Sequence, residues 1–77
     1  MKYFFISYYD GSCPKMGRTK TRLNRFPVLR ITDQMSKNDW SLITWREITE
    51  KDFNNISQVS GIKEFILQGK GNSQKKI

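Results

Sequence analysis

Apolar and polar positions along the chain change rhythm several times, and the changes divide it into short elements. Lys2–Tyr9, KYFFISYY, is rich in aromatic and β-branched residues and is stopped by the turn pair Asp10-Gly11, which predicts a strand. Alternation places Phe4, Ile6 and Tyr8 on one face and Tyr3, Phe5, Ser7 and Tyr9 on the other. Both faces are apolar enough for a central strand covered on two sides. Ser12–Gly17, SCPKMG, reads as a loop with Pro14 and Gly17 as breakers. Arg18–Leu23, RTKTRL, alternates cations with Thr19, Thr21 and Leu23, so in a strand Arg18, Lys20 and Arg22 would form a row on one face. The alternatives are a basic sheet edge, which discourages aggregation, and a solvated loop.

Phe26–Thr32, FPVLRIT, reads as a further hydrophobic strand with Pro27 at its beginning. The polar stretch 32–38 follows, in which Thr32 or Asp33 can cap a short helical turn. Trp40–Ile48, WSLITWREI, is dense in β-formers and predicts another core strand. Thr49-Glu50-Lys51-Asp52 has the form of a capping box with Asp at its last position. Phe53 and Ile56, three apart, then predict a short amphipathic helix over 50–58. Ser60-Gly61 breaks it. Ile62–Gln68, IKEFILQ, fits a helical face or a strand, and the strand is preferred for its brevity.

These elements imply an α+β fold: a small, mainly antiparallel sheet of three to four strands, with the 50–58 helix packed on one face. One compact domain is expected over 1–68. The small, basic residues 69–77 read as a flexible tail. The chain has 77 residues, a length that buries only roughly 60% of its unfolded surface. Two Trp, three Tyr and five Phe help such a chain build a core, because each ring buries a large area.

Charge changes the picture most. Fourteen Lys and Arg stand against seven Asp and Glu, a net +7. Lys15, Arg18, Lys20, Arg22, Arg25 and Arg30 fall in one stretch, and no acidic residue occurs from Gly11 to Thr32. So dense a field of one sign favours an anionic partner. Nucleic acid is the first expectation, with those six cations on phosphates, Lys70, Lys75 and Lys76 assisting, and Tyr8, Tyr9 or Phe26 stacking on unpaired bases. The alternative is an inhibitor that grips an acidic host-protein surface through the same arginines, with Trp40 or Trp45 as anchors. No long basic amphipathic helix points to a membrane surface. A homodimer is among the assemblies open to a chain of this size.

The chemistry that is missing is equally informative. There is no histidine, the commonest general base and metal ligand, and Cys13 is the one cysteine. The carboxylates Asp33, Asp39, Glu47, Glu50 and Asp52 follow no metal-binding spacing, and the glycines assemble no phosphate-cradling loop. A non-enzymatic protein without cofactor or metal is expected, in a reducing, cytoplasmic setting.

KYFFISYY and SLITWREITEKDFNNI resemble the strand, and the strand followed by a capped helix, of small uncharacterised proteins encoded by phages and mobile elements. The resemblance covers residues 3–9 and 41–57 and leaves the basic stretch 15–30 unmatched. It implies a genomic context, with host defence or replication machinery as targets, and no particular site.

Overall fold

The computed structural model describes residues 1–67. Strand β1 (Lys2–Tyr9) lies inside a four-stranded sheet. It pairs antiparallel with β2 (Pro14–Thr21) on one side and with β3 (Ser41–Ile48) on the other. A two-residue strand, β4 (Lys63–Glu64), joins β2 in parallel, so the order is β3-β1-β2-β4. The architecture is α+β, as the hydrophobic pattern implies, with two helices: α1 (Val28–Ser36) and α2 (Glu50–Ile56).

The alternation of β1 sets the two faces. Phe4, Ile6 and Tyr8 are buried on one, against Ile31 and Met35 of α1 together with Phe26 and Phe65. Tyr3 faces the other side, where its ring lies 5.1 Å from that of Phe53 on α2. Opposed residues of paired strands share a face, so the register Phe4↔Thr19 and Ile6↔Gly17 buries Thr19 and Gly17 in the same core. Gly17 is required there. A Cβ at this position would come within 2.7 Å of the Phe65 ring and 2.9 Å of the Lys63 carbonyl oxygen. Without that side chain, the last segment packs flush on β2, and the Phe65 amide donates to the Arg18 carbonyl at 2.9 Å.

The hairpin between β1 and β2 is closed by Asp10. Its Oδ1 accepts from the Ser12 amide (2.9 Å), the Ser12 hydroxyl (2.9 Å) and the Cys13 amide (3.0 Å). Gly11 supplies the left-handed residue, at φ 97°. This turn lets the second strand begin at Pro14, so the expected loop 12–17 is strand from Pro14 onward, and Arg22 and Leu23 fall beyond the strand's end.

The largest departure from the sequence pattern is at Phe26–Thr32, expected as a strand and found as a turn leading into α1. The helical period becomes visible only when the segment is continued to Met35. Ile31 and Met35, four apart, are then the two residues that the helix buries. Pro27 at the N-cap suits a helix start, since its missing amide costs nothing there. Thr32 and Asp33 lie within α1 and cap nothing; the Thr32 hydroxyl donates back to the Val28 carbonyl at 2.9 Å. After α1, Asp39 takes φ 60°, and the Trp40 amide donates to the Met35 carbonyl at 2.8 Å. Trp40 thereby ends the turn, and β3 starts at Ser41.

Helix α2 begins where the capping pattern places it, with the Thr49 hydroxyl accepting from the Asp52 amide at 3.1 Å. It ends at Ile56, two residues short of the expected 58. The expected strand over 62–68 is reduced to Lys63–Glu64, and Gln68 with the tail 69–77 lies outside the described residues. No helix among the described residues is long and apolar enough to cross a membrane.

Candidate functional site

The six cations of the basic stretch have different surroundings. Lys15 sits beside the β1–β2 turn, its Nζ 3.8 Å from Asp10 Oδ2. The Cys13 amide, then the Ser12 amide and hydroxyl, hold the Asp10 carboxyl down to about 2, so it stays ionised opposite Lys15. Arg18 is tied into the fold. Its Nη1 donates to the Phe53 carbonyl oxygen at 2.7 Å and its Nη2 to Glu64 Oε1 at 2.9 Å, while the guanidinium lies 4.2 Å from the centre of the Phe53 ring. One side chain thus links β2, β4 and α2. It is a structural arginine.

Lys20, Arg22, Arg25 and Arg30 remain. Lys20, Arg22 and Arg30 line a cleft of about 420 Å³, formed where the chain leaves β2, crosses to α1, and is flanked by residues 65–67. Thr21 shapes its rim by accepting from the Leu23 amide at 3.0 Å, which turns the chain and projects Arg22 outward. Arg25 is exposed on the same 22–27 connection, and α1 has no acidic residue in its first turn to offset Arg30. Among the described residues none of these four makes an ion pair. Glu64, the acid lining the cleft, is already engaged by Arg18. Glu47 pairs with Lys2 at 3.0 Å, so it too is spent elsewhere.

The three expected stacking residues are not at this cleft, and Tyr8 is buried in the core. Phe26 is buried, edge-on to Phe4 at 5.2 Å and stacked on Trp45 at 4.4 Å with the rings 7° from parallel. Tyr9 is exposed, but it pairs with Pro14 at one end of the sheet while Thr21 pairs with Lys2 at the other. Those ends are on the order of 23 Å apart along the strand. Lys15 belongs to the Tyr9 end. The sequence-predicted site therefore divides in two, and its cationic part converges at the end of β2. Met1, Leu23, Ile66 and Leu67 add an apolar lining that sequence reading did not assign.

The second large cleft, about 340 Å³, lies under α2 between Phe5, Arg46, Ile48 and Asp52, and its two charges are of opposite sign. Among the described residues no three of His, Cys, Asp or Glu come together. The chemistry that the basic cleft offers is therefore recognition of anionic groups by hydrogen-bonding cations. No protein-family model, no curated protein and no solved structure matches this chain.

Proposed function

We propose that this is a small, non-enzymatic protein that binds nucleic acid through Lys20, Arg22, Arg25 and Arg30. The observation that carries the reading is an open cleft lined by three cations, Lys20, Arg22 and Arg30, with Arg25 exposed on the adjoining connection and none of the four in an ion pair among the described residues. Three of the four are arginines, whose planar donor forks suit phosphate oxygens. With Phe26 buried and Tyr9 remote, the contacts are to backbone phosphates, and little sequence preference is expected. The resemblance to phage and mobile-element proteins fits an accessory role of this kind.

Four phosphate contacts set the expected salt dependence. The slope of log K against log salt should be about −3 to −4 for single or double strands. Fluorescence anisotropy with labelled DNA and RNA measures it. Arg22→Ala with Arg25→Ala should flatten the slope by roughly 2, one unit per lost phosphate contact. A slope that is unchanged in this variant removes the cleft from the interaction.

A second reading rests on a different observation. Leu29 on α1 is 81% exposed, and Leu23 and Ile66 also stand open around the cationic cleft. An acidic protein surface with apolar side chains would cover both kinds of group. Absence of nucleic-acid binding at every salt concentration would favour this partner, and with it the inhibitor role.

A further inference from the structure

The cleft that holds the cations has a second kind of lining. Leu23, Ile66 and Leu67 also border its volume of about 420 Å³, and the first two stand 43% and 53% exposed. Aliphatic side chains contribute nothing to holding a phosphate. They stabilise a complex only when an apolar part of the ligand covers them.

The lining is fixed in place. The Thr19 hydroxyl donates to the Phe65 carbonyl at 2.6 Å, and the Phe65 amide donates to the Arg18 carbonyl at 2.9 Å. From the other side, Nε2 of Gln34 on α1 donates to the Ile66 carbonyl at 3.0 Å. Residues 65–67 are thus tied to β2 and to α1 together, with the Phe65 ring anchored in the core. Leu23 is placed by its amide, which donates to the Thr21 hydroxyl at 3.0 Å. A wall ordered before the ligand arrives lowers the entropy lost on binding.

We infer that the cleft seats one unpaired nucleotide of a single-stranded nucleic acid. Its base lies against Leu23, Ile66 and Leu67, and the phosphates beside it meet Arg22 and Arg30. This rests on the nucleic-acid reading and narrows it to single strands. Size is the first reason. The volume is in the lower part of the range of small-ligand sites, about 300–1,000 Å³, which suits one nucleotide and not a stack of base pairs. The second is what the ligand displays. A duplex hides the faces of its bases in its own stack and offers side chains only their edges, whereas an unpaired base offers a whole apolar face. Leucine and isoleucine are among the residues that proteins place against unstacked bases. Charge is the third. Lys20, Arg22 and Arg30 line the cleft, and its one acid, Glu64, is held by Arg18 at 2.9 Å, which offsets its repulsion of a phosphate.

Anisotropy titrations of the full chain test it at one low salt concentration. The probes are a labelled single strand, a blunt duplex, and a strand of the same length carrying abasic sites in place of its bases. Phosphate contacts alone favour the duplex, whose charges are more closely spaced. The expected result is a single strand bound about tenfold tighter than either of the others, a preference that only the bases can supply. Leu23→Ser with Ile66→Ser should bring the single strand down to the affinity of the abasic strand, with its salt slope unchanged because no phosphate contact is lost. Val59→Ser, exposed and lining neither cleft, should leave the affinity as it is, and circular dichroism verifies that each variant is folded. A duplex or an abasic strand bound as tightly as the single strand overturns the inference and leaves the phosphate-binding reading standing. Full single-strand affinity in a folded Leu23→Ser/Ile66→Ser protein does the same. Failure to bind any of the three probes overturns both.

Discussion

Arg18 and Arg22 show how little a residue's type says about its role. They are four apart in one basic stretch, yet the first is held between Glu64 and the Phe53 ring and the second stands exposed at the edge of a cleft. The difference is made 46 positions away by Glu64, which no local pattern ties to Arg18. Removing Arg18 leaves Glu64 without its partner and the Phe53 carbonyl without its donor. Charge-assisted bonds of this kind are worth roughly 1.5–3 kcal/mol, and partial exposure of both side chains moves the expected cost towards the lower figure. Arg18→Ala should therefore lower the thermal midpoint by roughly 10 °C, while nucleic-acid affinity measured well below that midpoint changes less than about twofold, a loss of one phosphate contact being worth much more. Arg22→Ala should do the reverse. Calorimetry and anisotropy on the two variants separate the roles; a stable Arg18→Ala protein with lost affinity would return Arg18 to the interface.

At the scale of elements, legibility follows how local the determining interactions are. Strand β1 is readable because eight residues alternate and a turn pair ends them. Helix α2 is readable because its cap lies within four residues, Thr49 to Asp52. Helix α1 is not, since Phe26–Thr32 contains the β-branched residues Val28, Ile31 and Thr32, and its burial pattern depends on a sheet face that only the tertiary fold creates. The same reason divided the candidate site. Lys20, Arg22 and Arg30 line one cleft because the chain leaving β2 crosses directly to α1, whereas Phe26 is drawn into the core by Phe4 and Trp45. The local element also yields a local test. Thr49→Ala deletes the α2 cap at a cost of about 1 kcal/mol, a fall of roughly 4–8 °C in the midpoint. Since α2 carries Phe53, the cover for Tyr3 and Arg18, hydrogen exchange should quicken in α2 while the α1 amides keep their protection. Equal loss in both helices would mean that α2 is not a separable unit.

For the whole molecule, the net +7 sets two salt effects of opposite sign. The free protein repels itself: the described residues hold four ion pairs, one of them at 3.8 Å, and none of these pairs includes Lys20, Arg22 or Arg30 of the cleft, whose one acid, Glu64, is held by Arg18. Salt shortens the screening length to about 10 Å at 0.1 M, so it relieves this repulsion at the cost of a few weak surface pairs. The thermal midpoint of the free chain should therefore rise between 50 and 200 mM salt. Over the same fourfold range a slope of about −3 to −4 weakens the nucleic-acid complex roughly a hundredfold. Thermal melts and anisotropy along one salt series read both. A midpoint that falls with salt would show that the ion pairs outweigh the repulsion, and the basic cleft would then be balanced within the fold instead of left open for an anionic partner.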